Sequence, residues 1–312
     1  MKIYLHIGTH KTGSTAIQNI FNDNREYFIK QGLYYPPAYK HWSGQHDLAW
    51  LMKGVDADLV RKYVADIIAR AQELGCRKIF LSSEEFEFVR NVSILMILNE
   101  LDGVDIEVLC FLRKQDDYLE SEYNQHIKMY DVRFEEDIFH FYTFHEFYSR
   151  FNYMALLQPW ISCFGEDNIT IVPYDQLGKG TKIFTTVFEY LSVEGNADLT
   201  VNKGENSSLS PLSTVYLARL NRRKDITKVE HQKAIRYLSE ECAGKGQRLL
   251  SREYRKRIIE RFSMSNQIIS DKFLAGRDLF QEIAVEQVDV DFYLDYSEEF
   301  FQLLIDSIKG NK

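Results

Sequence analysis

Cysteine, proline and positive charge are all scarce in this 312-residue chain. The four cysteines (Cys76, Cys110, Cys163 and Cys242) are scattered without a C-x-x-C pair, so neither a zinc site nor a disulfide framework is indicated. Cys110 stands in an apolar run and reads as core. Basic residues number 38 against 46 acidic ones, and the formal net charge of −8 argues against broad attraction to nucleic acid or an anionic membrane. A polyanionic ligand would need a local basic patch. No apolar run approaches the length of a membrane span. Lys2 leads straight into strand-like sequence, so no signal peptide is expected ahead of it. Repeats and low-complexity segments are absent. Aromatic residues, by contrast, are plentiful: 19 Tyr and 21 Phe suggest a stacking-rich cleft or a bulky core.

The apolar pattern alternates between short strands and amphipathic helices. Strands are expected at 3–7, 78–82, 105–112 and Ile169–Pro173, and helices at 14–30, 57–74, near 93–101, 116–129 and around 182–191. An aromatic, Pro-Pro-containing loop is expected at 34–46. This alternation predicts an α/β fold, a parallel β-sheet with helices on both faces, whose ligands bind at the carboxyl ends of the strands. From about residue 205 the pattern becomes almost wholly helical. The stretch Asn196–Glu205 is the one plausible boundary, and the reading keeps residues 1–312 as a single domain.

Residues 3–15, Ile-Tyr-Leu-His-Ile-Gly-Thr-His-Lys-Thr-Gly-Ser-Thr, carry the most chemistry. An apolar strand enters a glycine-containing turn, and Ser14-Thr15 open a helix. That layout directs backbone N–H groups and a helix N-terminus at one point, which suits a phosphate. Gly8 and Gly13 have the spacing of the nucleoside triphosphate loop G-x-x-x-x-G-K-[ST], but no lysine follows Gly13. The lysine is Lys11, inside the loop. Without a Lys-Ser pair, the site lacks the usual partners of Mg²⁺ and of the β- and γ-phosphates.

A second anion site is read from Arg113 and Ser121 in Arg-Lys-Gln-Asp-Asp-Tyr-Leu-Glu-Ser. Arg113 ends a strand and Ser121 falls one or two turns into the next helix, where a guanidinium and a hydroxyl can grip a dianionic phosphate. The plain alternative is a structural ion pair between Arg113 and Asp116 or Asp117.

The loop Gly-Thr-His-Lys-Thr-Gly-Ser-Thr resembles the 5′-phosphosulfate loop of the sulfotransferases, whose donor is 3′-phosphoadenosine-5′-phosphosulfate (PAPS). The R-x₇-S spacing is similar to their 3′-phosphate motif. Further likenesses to bacterial members lie in Asn152-Tyr153 through Trp160, Phe164-Gly165, Ile169–Tyr174 and Phe262–Leu274 with Ser265-Asn266, so the landmarks span about residues 1 to 275. The resemblance implies the sulfotransferase version of the P-loop-like fold. It implies donor contacts from Thr9, His10, Lys11, Thr12, Gly13, Ser14, Thr15, Arg113 and Ser121. A late polar loop in this family often covers the adenine and 3′-phosphate. Here that role falls to Asn202–Pro211 with Lys203, Asn206 and Ser207, although Ser210-Pro211 also reads as a helix N-terminus. Animal Golgi members are usually membrane-anchored, so the lack of a span leads to the expectation of a cytoplasmic, bacterial enzyme.

The implied reaction is in-line transfer of a sulfuryl group from PAPS to a hydroxyl, with adenosine 3′,5′-bisphosphate released and no metal needed. By analogy with bacterial relatives the acceptor is a carbohydrate or glycolipid. Lys11 is the expected stabiliser of the departing phosphate. Glu84 ranks first as general base and His46 second, with Glu85 and His10 also open. Glu84 follows a strand's carboxyl end, and apolar neighbours Phe86 and Phe88 are expected to raise its pKa. Nine of the twenty residues in Phe134–Tyr153 are Phe or Tyr, a candidate acceptor lid or simply helical core. Tyr123, Gln125 and Lys128 on the helix of Ser121 are further cleft candidates. Two rivals remain beside this reading: a P-loop kinase of small molecules, and a non-catalytic nucleotide- or glycan-binding module.

Overall fold

The computed structural model describes residues 1–37, 43–178, 180–196, 199–200, 209–242, 248–280 and 297–310. Its strands are β1 (Lys2–His6), β2 (Leu33–Tyr34), β3 (Lys78–Ser82), β4 (Asp105–Leu112) and β5 (Ile169–Pro173). The helices, in chain order, are α1 (Ser14–Asp23), α2 (Arg25–Ile29), α3 (His46–Lys53), α4 (Ala57–Glu73), α5 (Val92–Asn99), α6 (Gln115–Lys128), α7 (Ile138–Phe144) and α8 (Phe147–Phe151). They continue with α9 (Tyr153–Phe164), α10 (Lys182–Leu191), α11 (Pro211–Asn221), α12 (Lys228–Glu241), α13 (Arg252–Arg261), α14 (Ser263–Phe273) and α15 (Glu298–Lys309). Two compact units emerge. The first gathers Met1–Lys114, Asn152–Gly204 and Phe262–Gln281; the second gathers Gln115–Phe151, Glu205–Arg261 and Glu282–Lys312.

The first unit holds the sheet, which is parallel throughout and ordered β2-β3-β1-β4-β5. Its strands are apolar on both sides because helices cover both faces. Ile3, Leu5, Ile79, Leu81 and Val108 face one core, shared with Leu48, Val60, Val64, Leu95 and Trp160 of α3, α4, α5 and α9. Tyr4, Phe80, Leu109 and Phe111 face the other, shared with Ile17, Phe21 and Phe28 of α1 and α2 and with Phe184 and Val187 of α10. The chain fills the β3–β2 side of β1 and then crosses to β4. That reversal places the ligand crevice of such a sheet at the carboxyl end of β1. The α/β architecture with helices on both faces is as the sequence predicts.

Some boundaries differ from expectation. The predicted helix 14–30 breaks at Asn24, whose φ of −121° leaves the helical region while its Nδ2 donates to the Ile20 carbonyl at 2.7 Å. The predicted loop 34–46 contains the end of β2 and the first residue of α3, while residues 38–42 lie outside the described set. Among the described residues, no helix is long and apolar enough to cross a membrane.

The second unit is helical, and α6 is its charged spine. Asp116 Oδ2 accepts from Arg255 Nε at 2.6 Å, Asp117 pairs with Arg248, and Glu120 Oε1 accepts the Leu250 N–H at 2.9 Å. The aromatic segment after α6 is divided between core and surface, with Phe139, Phe144 and Tyr148 exposed. Phe141, Phe147 and Phe151 are buried, and Tyr118 and Tyr123 of α6 pack among them. Ser210 caps α11, its Oγ accepting the Ser213 N–H at 3.1 Å, with Pro211 in the first turn.

Candidate active site

The loop between β1 and α1 is held by main-chain pairing that continues past the strand. Ile7 N donates to the Leu109 carbonyl at 3.0 Å, Phe111 N to the Gly8 carbonyl at 2.7 Å, and Thr9 N to the Phe111 carbonyl at 2.8 Å. Thr9 Oγ1 reaches the same carbonyl at 3.2 Å, and Thr12 Oγ1 donates to the Thr9 carbonyl at 2.5 Å. Both threonines are fully buried, so their hydroxyls build the loop. The Thr9 N–H and carbonyl are likewise taken up within the protein, by Phe111 and by the Thr12 hydroxyl.

Two glycines are demanded by this geometry. Gly8 has φ +92°, and a Cβ there would lie 3.1 Å from Glu84 Cα, so loop and β3 end touch backbone to backbone. Gly13 has φ +79°, and its Cβ would meet Ile183 Cδ1 at 2.7 Å. Gly13 is also the N-cap of α1 and offers no side chain to the first-turn amides. Those amides, with Ser14 buried and Thr15 exposed at the helix start, form the arrangement an anion needs. Lys11 sits between the glycines with φ 61°, a left-handed conformation that a lysine adopts only when its surroundings impose it.

Part of that imposition comes from Arg113. At the end of β4, its Nη1 donates to the Lys11 carbonyl at 2.9 Å. Its Nε is buried without a hydrogen-bond partner among the described residues, Asp175 Oδ1 lying 3.9 Å away. The guanidinium stands over the Tyr174 ring, 5.7 Å from its centroid, and the Arg113 carbonyl accepts from Tyr153 OH at 2.5 Å. Asp175 Oδ2 takes the Lys114 N–H at 2.6 Å. An arginine fixed this way, with a buried donor in reserve beside a glycine-capped helix N-terminus, fits a phosphate group. The ion pairs of Asp116 and Asp117 go to Arg255 and Arg248 instead.

Beside the loop, β3 ends in Ser83 and a 3₁₀ turn, Glu84–Phe88. Ser83 Oγ caps that turn by accepting the Glu85 N–H at 3.2 Å, and it lies 2.7 Å from His46 Nδ1. His46 is buried at the start of α3 and stacks on Trp50, centroids 5.9 Å apart. Gln18 of α1 donates through Nε2 to Glu84 Oε2 at 2.8 Å. His10 lies between Glu85 (Nε2 to Oε1, 3.6 Å) and Glu87 (Nδ1 to Oε1, 3.2 Å).

The expectation of a raised Glu84 pKa is overturned. Burial does push it up, but the positive charges of His10 and His46, a backbone N–H and the Gln18 amide together hold it below the usual carboxylate range. Glu85 is held low too, chiefly by the hydrogen bond from His10 against an opposing burial effect, with the Trp50 indole assisting. Both carboxylates are therefore ionised at neutral pH.

Thus Thr9–Thr15, Arg113, Glu84, Glu85, His10 and His46 gather at the carboxyl edge of β1, β3 and β4 in the first unit. Ser121 lies near the middle of α6, in the second unit, as do Tyr123, Gln125 and Lys128. Lys203, Asn206 and Ser207 lie outside the described residues. Sequence reasoning missed Gln18, Ser83 and Glu87. Among the described residues, no group of three or more His, Cys, Asp or Glu is arranged to hold a metal ion.

The fold is a parallel α/β sheet with a loop bounded by Gly8 and Gly13 at the carboxyl end of its central strand. No family model matches the sequence. An uncharacterized protein of Archaeoglobus fulgidus is 26% identical over 217 residues, covering 68% of this chain. The match takes in 57% of that relative, so the chain spans less than two thirds of its length. Among solved structures, a sulfotransferase from Alicyclobacillus acidocaldarius is similar at a TM-score of 0.42 and 15% identity, covering 66% of this chain and 85% of that one.

Proposed function

We propose that this protein is a PAPS-dependent sulfotransferase that modifies a hydroxyl of a carbohydrate or glycolipid acceptor. The observation that carries the proposal is the hydrogen bond from Arg113 to the Lys11 carbonyl, which brings the arginine of the second motif to the loop of the first. PAPS supplies the activated sulfuryl group. The first-turn amides of α1 and the Ser14 and Thr15 hydroxyls cradle its 5′-phosphate. Lys11 meets the negative charge that collects on the departing phosphate oxygen. Arg113 contributes a fixed guanidinium to the phosphate site.

Glu84 is the general base, taking the acceptor's hydroxyl proton as the new S–O bond forms. Gln18 orients it at 2.8 Å, so the carboxylate presents a defined lone pair. His46, anchored on Ser83, helps keep Glu84 ionised. Nothing in this scheme calls for a metal.

Incubation with ³⁵S-labelled PAPS and a panel of oligosaccharides and glycolipids tests the reaction. The expected result is a labelled product that forms in EDTA and disappears with Lys11→Ala. Wild-type-like transfer by Lys11→Ala and Glu84→Gln would remove the site assignment.

A further inference from the structure

Glu87 has no part in anion binding or proton transfer as described, yet its carboxylate is only 1% exposed. Carboxylates buried that deeply need strong partners. It meets His10 at two points. Oε2 accepts the His10 backbone N–H at 2.9 Å, and Oε1 lies 3.2 Å from the Nδ1 of the same residue. A neutral amide would satisfy the backbone N–H equally well. What the carboxylate adds is a negative charge for the imidazolium.

The other groups facing His10 come from the same 3₁₀ turn and from neighbouring elements. Glu85 lies on the opposite ring nitrogen and Phe88 packs on the ring, centroids 5.4 Å apart. Glu84 senses the charge of His10 and that of His46 from α3. Arg90 donates to the Glu87 carbonyl, and Lys11 follows His10 in the loop. Two carboxylates, Glu85 and Glu87, therefore flank this imidazole.

We propose that Glu87 is a positioning residue of the phosphate loop, fixing the backbone before the left-handed Lys11 and keeping His10 as a second cation beside the bound anion. The His10–Lys11 dipeptide is then gripped at its two ends, by Glu87 at the His10 N–H and by Arg113 at the Lys11 carbonyl. This inference rests on the donor reading of the loop.

Imidazole ¹⁵N NMR titration of the ligand-free full chain tests whether Glu87 keeps His10 charged, and calorimetric binding of adenosine 3′,5′-bisphosphate tests whether that charge serves the anion. Glu87→Gln should lower the His10 titration midpoint by about one pH unit or more. It should weaken the bisphosphate about tenfold at neutral pH, with the gap closing at alkaline pH where His10 is neutral in both proteins. His10→Gln, on a side chain 19% exposed, should weaken binding by a similar factor, and the double variant should be no weaker than either. If Glu87→Gln does not fold, His10→Gln carries the same binding prediction. An unmoved His10 titration, or losses that add in the double variant, would overturn the proposal. Failure of the wild type to bind bisphosphate would strike the donor reading, while the titration would still decide the Glu87–His10 pair.

Discussion

Arg113 Nη1 lies 2.9 Å from the carbonyl oxygen of Lys11, across 102 residues of sequence. One guanidinium N–H thus secures the loop whose lysine is assigned to the leaving group. The two residues belong to one device, and their loss should be felt differently.

Lys11→Ala removes the ammonium but leaves its carbonyl for Arg113. Transfer should fall by about 10²–10³ in kcat, the scale of losing one charge-stabilising group, with bisphosphate affinity less affected. Arg113→Ala should act mainly on donor affinity, weakening it about ten- to hundredfold as charge-assisted hydrogen bonds are lost. Steady-state kinetics with both variants separate the two effects. Arg113→Lys should rescue poorly, because an ammonium cannot hold the Lys11 carbonyl, the Tyr174 ring and a phosphate together.

Gly13→Ala meets two penalties at once. The φ of +79° costs a Cβ-bearing residue about 1–2 kcal/mol, and the Ile183 Cδ1 contact at 2.7 Å adds a clash. Denaturant unfolding should report the stability loss. Pairing with Ile183→Val should recover only the steric share, since the backbone strain remains.

Glu84→Gln should reduce kcat by about 10²–10⁴ while sparing bisphosphate binding. The wild-type acid limb carries a sign. Because the Glu84 pKa is held below the ordinary carboxylate range, the base stays ionised as pH falls and the limb belongs below pH 4.5. Near-wild-type kcat in Glu84→Gln together with its loss in His46→Gln would transfer the role of base to His46.

His6 gives a stability prediction separate from catalysis. It sits on the central strand, fully buried, with Nδ1 2.7 Å from Ser82 Oγ and no hydrogen-bond partner for Nε2 among the described residues. Burial lowers its pKa from 6.5 to about 4. Above pH 6.5 the ring is neutral whether folded or unfolded and contributes no pH dependence. Between 6.5 and 4 only the unfolded chain takes up the proton, so stability falls as pH falls, by roughly 3 kcal/mol in all. Thermal melts across that window should show the decline, and His6→Asn should flatten it.

The sheet was legible because its strands alternate with helices and are bounded by clear breaks. Strands β3, β4 and β5 lie where the apolar runs predict, and Gly75 with φ +69° follows the end of α4. The tight turn between β1 and α1 was legible because Gly8 and Gly13, both at positive φ, mark it in the sequence. Other parts leave no such mark. The Asn24 break depends on one side chain competing for a helix carbonyl, which hydrophobic period does not register. Strand β2 is two residues long, too short for any alternation. Glu87 is hidden in a run of alternating acids and aromatics. Only the 3₁₀ pitch, which aligns residues three apart, sets Glu84 and Glu87 on one side of that turn. The environment of Glu84 was misjudged because its neighbours in sequence are apolar while those in space are cationic. The landmarks Tyr153–Trp160 and Ser265 serve structure: Tyr153 holds the Arg113 carbonyl, and Ser265 Oγ accepts the Met154 N–H at 3.0 Å.

Thermal stability of the purified chain with adenosine 3′,5′-bisphosphate, with and without EDTA and beside ATP–Mg²⁺, tests the phosphate site most directly. A ligand that binds the native state raises the melting temperature by mass action. A sulfotransferase donor site predicts a rise with the bisphosphate that survives EDTA and exceeds the rise with ATP–Mg²⁺. A shift with ATP–Mg²⁺ alone would contradict it and put a kinase in its place.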